Sequence, residues 1–274
     1  MSGVAIPGIF HVWLERWSLT VDGQPFVSRF GSQLLPVLSG SESAILKITD
    51  AREELRGGEL MAWYGGVGAA RVIARENPAL LLERVIGDRS LADMARSGRD
   101  DDATRILCQT AVALHTKRAT PPPRSLVPLP IWFQALEPAA AQHGGAFLKA
   151  ALAARPLLAE PRDVVVLHGD FHHDNVLDGG ARGWLVIDPK GLIGERGFEY
   201  ANLFRNPDIA VALAPGQMQR RARIVPDEAA LDTRRLLNWV LAYAGLGAAW
   251  SLQSGQDPGP GLAIAEQAAT ELSA

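Results

Sequence analysis

The sequence holds a single cysteine, Cys108, so no internal disulfide can staple the fold and nothing marks the chain for an oxidising compartment. It has little excess charge. The formal net charge is -3 and the isoelectric point lies near 6.1, without the basic balance typical of nucleic-acid binders, so no nucleic-acid partner is expected. It also lacks a long uninterrupted apolar run. The uncharged stretch LLNWVLAYAGLGAAWSLQSGQ, residues 236–256, includes Asn238, Gln253 and Gln256. Its strongly apolar part is shorter than the roughly 20 residues a membrane span requires, which predicts a buried core helix. The N-terminal MSGVAIPGIFHVWLERW is too polar, and its apolar part too short, for a secretory leader. The cytoplasm is therefore the expected compartment, and a small molecule the expected partner.

What is present is enough for a large core: 274 residues, 47% of them hydrophobic and 21% charged, leave room for one big domain or two lobes. The first eighty or so residues alternate short apolar runs with turn residues, as an antiparallel sheet would. WSLTVDGQPFV, SQLLPVL and SAILKIT read as three strands, and RVIARE and ALLLERV as two more separated by Asn77-Pro78. Between them a helix is expected from about Ala51 to Tyr64, weakened by Gly57 and Gly58.

After Val85 the pattern turns helical, so a boundary is expected near Ile86, with lobes at 1–86 and 87–274. Asp100 to Asp102 can cap a helix. Pro121 to Pro130 reads as a stiff connector and Asn206 to Pro226 as a loop, with helices near Ile131 to Leu136, from Ala139 to Leu158, and through most of the last third.

The chemistry is concentrated in VVVLHGDFHHDNVLDGGARGWLVIDPKG, residues 164–191. An apolar strand runs into His168-Gly169-Asp170, which places Asp170 where a buried strand ends and a cleft-facing loop begins. A carboxylate there can accept the proton of an attacking hydroxyl, and Asn175 can offer an amide oxygen to a metal. WLVID puts Asp188 at the end of the next strand, where it can bind Mg²⁺ on nucleotide phosphates. A hairpin through VLDGGARGWLV would bring Asn175 and Asp188 together. Upstream, Lys47 stands among apolar residues of AILKIT, an unusual place unless its ammonium has a partner. Glu59, on the same helix face as Leu55 and Trp63, can be that partner, with Glu53 and Glu54 as substitutes. LLLERVIGDRSL would link the lobes, with the backbone of Glu83 to Val85 meeting adenine.

LHGDFHHDNVL followed by VIDPKG resembles the small-molecule kinases of the aminoglycoside phosphotransferase group. IDPKG, LLLER and NLFRNP resemble the branch containing streptomycin 6-phosphotransferases and hydroxyurea kinases. The resemblance runs from about Trp17 to Pro207. It implies an α+β, bilobal protein-kinase-like fold with an antiparallel-sheet N-lobe and a mostly helical C-lobe. It also implies ATP and Mg²⁺ as cofactors, Asp170 as catalytic base, Asn175 and Asp188 on the metal, and Lys47 with Glu59 on the ATP phosphates. Where protein kinases carry a G-x-G-x-x-G loop, this chain offers Gly31 and the serine-rich turn Ser39 to Ser43. Asp174 stands where related motifs have a small residue.

The expected reaction is γ-phosphoryl transfer to a hydroxyl of an aminocyclitol antibiotic such as streptomycin, or of hydroxyurea. The rivals are a kinase of another metabolite and a nucleotide-binding regulator without chemistry. A zinc hydrolase built on His168, His172 and His173 is a third, against which no Cys or Glu-x-x-His pattern supports the histidines. They read as structural, His168 fixing the loop by hydrogen bonds. Cys108 reads as core filling, Glu199 as a structural hydrogen-bond partner, Glu195 with Arg196 as a solvated pair, and the tryptophans as packing.

Overall fold

The alternating apolar runs of the first third form a sheet. The computed structural model describes residues 6–28 and 31–273; the first five residues of the stretch weighed as a leader lie outside it. A short helix, α1 (His11–Arg16), comes first, in a region read from sequence as strands only. Strands β1 (Leu19–Val21), β2 (Phe26–Val27), β3 (Gln33–Ser39) and β4 (Glu42–Ile48) follow. The sequence reads β1 and β2 as one strand, but Asp22-Gly23-Gln24-Pro25 breaks it, and both pieces pair with β3. Helix α2 (Arg52–Tyr64) and strands β5 (Val72–Glu76) and β6 (Ala79–Glu83) complete a six-stranded sheet of order β1-β3-β4-β6-β5, β2 adding to β3.

Strand period two sets what each face presents. Ala44, Leu46 and Ile48 of β4 point into a core with Phe10, Trp13, Leu35 and Val37, closed by α1. Lys47, out of phase with them, points to the opposite face, where α2 packs. Gly57 and Gly58 let α2 sit close. A Cβ at Gly57 would collide with the Pro189 carbonyl, and one at Gly58 would lie 3.2 Å from Leu80. The pair that lowers intrinsic helix propensity therefore positions the helix.

From Glu83 the chain crosses to a helical half through residues 84–90, the segment that contains the expected boundary after Ile86. Helices α3 (Leu91–Arg96) and α4 (Asp100–Leu114) come next, then β7 (Val127–Pro128), α5 (Leu129–Trp132), α6 (Leu136–His143) and α7 (Gly145–Ala159). β8 (Val164–Leu167), β9 (Val176–Asp178), β10 (Trp184–Val186) and β11 (Leu192–Glu195) carry the motif region. The C-terminal third holds α8 (Gly197–Ala201), α9 (Ile209–Ala212), α10 (Gln217–Ala229), α11 (Thr233–Gln253) and α12 (Gly259–Ser273).

Helix α11 contains most of the uncharged stretch and is the core element expected of it. It packs on α7 and α12, and its Trp239 meets Phe133 and Phe198 edge to face. Among the described residues no helix is long and apolar enough to cross a membrane. Cys108 is fully buried, with its thiol pushed up to about 12 by burial, as core filling predicts.

Several expectations need correction. The proline-rich connector contains β7, which pairs in parallel with β11, and Pro130 lies in the first turn of α5, where a missing N–H is harmless. Asn206 to Pro226 is not a loop, because it contains α9 and most of α10, with Pro226 inside the helix. Arg221 disguises α10 in the sequence, since a mid-helix arginine reads as solvated. Here it is 1% exposed and donates to Asp100 at 3.0 Å and 2.5 Å. Asp100 consequently does not cap α4; its carboxylate turns inward, and no side chain caps that helix. Glu195 and Arg196 are not a solvated pair either. Glu195 is buried and accepts from Arg235 (2.6 Å), Trp239 Nε1 (2.8 Å) and the Arg162 amide (2.9 Å), while Arg196 donates to the Ala229 carbonyl.

Candidate active site

β8 delivers the His168-Gly169-Asp170 segment. Its last residue, Leu167, is buried, and Gly169 has φ +83, with a built Cβ only 2.6 Å from Leu192 Cγ, so the tight turn into Asp170 requires glycine. Buried Glu199 holds this turn, accepting from the amides of His168 (2.7 Å) and Gly169 (2.9 Å), the structural role expected of it. His168 Nε2 meets the Ile187 carbonyl at 2.7 Å, tying the loop to the segment that follows β10 and carries Asp188.

Asp170 is held on both oxygens. Asn202 Nδ2 donates to Oδ1 at 3.1 Å, and Asn175 Nδ2 lies 3.3 Å from Oδ2 and 2.8 Å from the Asp170 carbonyl. Burial opposes ionisation, but His172, with Nε2 3.7 Å from Oδ1, and the charge of Lys190 outweigh it, so the carboxyl is held well below the usual carboxylate range. A carboxylate that acidic is a weak base. It suits orienting a hydroxyl and taking its proton late rather than deprotonating it beforehand.

The β9–β10 hairpin forms as expected, pairing Val176 with Val186. Asn175 and Asp188 flank it and both line the same cleft. Asp188 has φ +59, a conformation uncommon for a non-glycine residue and concentrated at functional sites. Asn175 commits its amide nitrogen to Asp170, which leaves the amide oxygen outside that pair. One carboxylate and one amide oxygen suit Mg²⁺, which takes few protein ligands and completes its shell with water and phosphate oxygens. Bound there, the ion would neutralise charge on nucleotide phosphates.

Lys47 is buried and pairs with Asp188 Oδ1 at 2.5 Å and with Glu54 Oε2. Glu59 is not the partner. Five residues after Glu54, it is rotated by about 140° around α2 and accepts from the Ser125 hydroxyl at 2.5 Å instead. The face of α2 toward β4 is chosen by the glycines at 57 and 58, not by the Leu55–Trp63 stripe. Glu54→Gln should therefore lower turnover by about 10²-fold, since a Lys47 ammonium no longer held by its carboxylate is misplaced for its task. Glu59→Gln should stay within about twofold of wild type. Steady-state kinetics in ATP checks both, and equal losses would refute the assignment.

Glu83 and Val85 lie where the chain leaves β6. The Glu83 carboxylate is not free for a ligand. Burial raises its pKa, but the Arg71 amide (2.9 Å) and the guanidinium groups of Arg182 and Arg71 outweigh this and lower it. The Val85 amide has no backbone acceptor among the described residues, as an adenine edge would need. Gly87 and Arg89 pin the segment to Asp178, Arg89 by a two-pronged pair at 2.8 Å and 2.6 Å. Of the two turns weighed for the phosphates, that of Gly31 (φ +86) is adjacent to Ser28, which lines the cleft, whereas Ser39 to Ser43 lies at the other end of β3.

Sequence reasoning missed five side chains. Lys190 pairs with Glu54 Oε1 at 2.9 Å. Asn202 fixes Asp170, and its place within NLFRNP was the available signal. Trp132 and Trp250, edge to face at 5.3 Å, line the cleft with Tyr243 rather than serving only as packing. The histidines diverge as structural residues do. His172 Nδ1 accepts from the Asp174 amide, and His173 is buried 3.9 Å from Asp100, its pKa lowered to about 3 chiefly by burial. Among the described residues no group of three or more His, Cys, Asp or Glu side chains could hold a metal.

A sheet lobe and a helical lobe, with a lysine–glutamate–aspartate cluster facing a loop aspartate across a cleft, define a phosphotransferase of the protein-kinase-like class. The fold matches a crystallised thermostable mutant of aminoglycoside phosphotransferase APH(4)-Ia, bound to ADP and hygromycin B. The TM-score is 0.68 at 14% identity, covering 94% of this chain and 96% of that one. The chain belongs to the aminoglycoside/hydroxyurea antibiotic resistance kinase family, which it matches over residues 16–255. It is 49% identical over 247 residues to a streptomycin 3''-kinase of Klebsiella pneumoniae, covering 88% of this chain and 92% of the relative. A streptomycin 6-kinase of Streptomyces griseus is 31% identical over 272 residues, covering 91% and 84%.

Proposed function

We propose that this enzyme transfers the γ-phosphoryl group of Mg·ATP to a hydroxyl of streptomycin, the 3''-hydroxyl in particular, in the cytoplasm where ATP is supplied. The observation that carries the reading is the 49% identity to a streptomycin 3''-kinase across nearly all of both chains, against 31% to the 6-kinase. The site supports it. The cleft encloses about 650 Å³, far more than hydroxyurea fills, and its wall combines Glu53, Asp170 and Asp174 with Trp132, Tyr243 and Trp250. Carboxylates and aromatic faces are what guanidinium groups bind. In this reading Asp170 orients the acceptor hydroxyl and receives its proton, Lys47 and Glu54 fix the nucleotide phosphates, and Asp188 and Asn175 hold Mg²⁺. Positioning and charge neutralisation contribute more than acid–base chemistry.

Streptomycin-dependent ADP release, with mass spectrometry and NMR to locate the phosphate, tests the assignment. The apparent KM for streptomycin should rise with salt, because the attraction is between charges in an open cleft. Hydroxyurea, being neutral, should show little such dependence. Phosphate on the 6-hydroxyl would correct the regiochemistry. Turnover only with an unrelated alcohol would leave a kinase of another metabolite, and nucleotide binding without turnover of any acceptor would leave a regulator.

A further inference from the structure

Lys190 is more than the fold needs to neutralise Glu54. Lys47 already pairs with Glu54 Oε2, yet Glu54 Oε1 receives Lys190 Nζ at 2.9 Å, with Glu53 Oε1 at 3.2 Å. Asp188 is shared in the same way, Oδ1 with Lys47 at 2.5 Å and Oδ2 with Lys190 at 4.0 Å. The backbone of Lys190 is fixed from two sides, its amide donating to the His168 carbonyl and its carbonyl accepting from Arg56 Nε, both at 2.7 Å. Its stem packs beside the turn before Asp170, a Cβ built on Gly169 lying 3.3 Å from the Lys190 Cβ.

The two lysines differ in what they face. Lys190 lines the cleft with Gly169, Asp170 and Asp188, whereas Lys47 is not part of that lining. During transfer the γ-phosphoryl group, carrying the charge of its non-bridging oxygens, moves from the nucleotide side, near Asp188, toward the acceptor hydroxyl at Asp170, while the electron pair of the broken bond stays on ADP. Lys190 lines the cleft that both carboxylates line, with its ammonium 4.0 Å from Asp188 Oδ2 and its stem beside the turn into Asp170. We propose that Lys190 is a second phosphate-directed cation, Lys47 serving the phosphates that remain on the nucleotide and Lys190 the γ-phosphoryl group that leaves it. The inference rests on the cleft being a phosphoryl-transfer site. The acceptor oxygen bonds to the γ-phosphorus and the bond from that phosphorus to the bridging oxygen breaks, its electron pair staying on ADP. The hydroxyl proton goes to Asp170, and Lys190 keeps its proton throughout, supplying charge only.

The test compares a triphosphate analogue with a diphosphate. In calorimetry with Mg²⁺, Lys190→Met should weaken AMP-PNP binding by about tenfold or more and leave ADP within about twofold, because a point charge at one phosphate is felt only by the nucleotide that carries it. Lys47→Met should weaken both. A second readout uses the wild-type protein. With the lysines ¹⁵N-labelled, namely Lys47, Lys117, Lys149 and Lys190, the Lys190 ammonium resonance, assigned through Lys190→Arg, should shift on adding AMP-PNP and not on adding ADP. This readout decides the question if the Met variant does not fold. Equal weakening of both nucleotides, or equal shifts with both, would overturn the proposal and leave Lys190 as support for Glu54. A wild-type protein that binds neither nucleotide would take down the phosphoryl-transfer reading and this inference together.

Discussion

Asp170→Asn should lower turnover by at least about 10²-fold while ATP affinity stays within about twofold of wild type. The side chain touches Asn202 and Asn175 but neither Lys47 nor Glu54, so its loss leaves the Lys47–Glu54 pair intact. An amide retains the shape and one acceptor oxygen, but it cannot take a proton, and its nitrogen would oppose the Nδ2 of Asn202 or Asn175. Steady-state kinetics with calorimetry of Mg·ATP binding measures the split, and retention of more than about a tenth of the activity would refute the role. The carboxyl also carries a pH signature. Its folded-state pKa is depressed, so its contribution to stability is present above the ordinary carboxylate value and disappears only as pH falls through the lower folded value. Any loss of activity between about pH 7 and pH 5 must therefore come from other groups.

Asp188→Ala should abolish turnover and remove the dependence of ATP binding on Mg²⁺, since the metal would lose its carboxylate. Burial alone would raise the Asp188 pKa, but Lys47 and Lys190 outweigh it and lower the pKa, so the carboxylate is ionised and available to a cation near neutral pH. The substitution also takes one of two carboxylate partners from buried Lys47. The melting temperature must accordingly be measured beside the calorimetry to separate lost metal affinity from lost stability. Identical Mg²⁺-dependent binding in variant and wild type would sink the assignment.

Much of this site could be read locally. Asp170, Asn175 and Asp188 lie on one loop and one hairpin, where strand alternation and glycine turns fix geometry within about twenty residues. Lys47 was legible for the same reason, being the polar residue out of phase in an apolar strand. The limits of helix α2 were close to expectation, and the sheet gained only the split of its first strand.

The sequence by itself determined strands β3 to β6, helix α2 and the residues at strand ends, because these depend on period, turn chemistry and short separations, whereas α9 and α10 became visible only once their buried partners were in place. Tertiary structure alone decided which glutamate of α2 meets Lys47. Helix rotation is set by what packs against the helix, here Pro189 and Leu80 at Gly57 and Gly58. It likewise decided that Arg221 is interior, through a partner 121 residues away. It also placed Lys190 beside Asp170 and made a wall of Trp132 and Trp250. A buried charge and a cleft-lining aromatic look like any other arginine or tryptophan until the groups that surround them are known, and those groups are brought together only by the packing of distant segments.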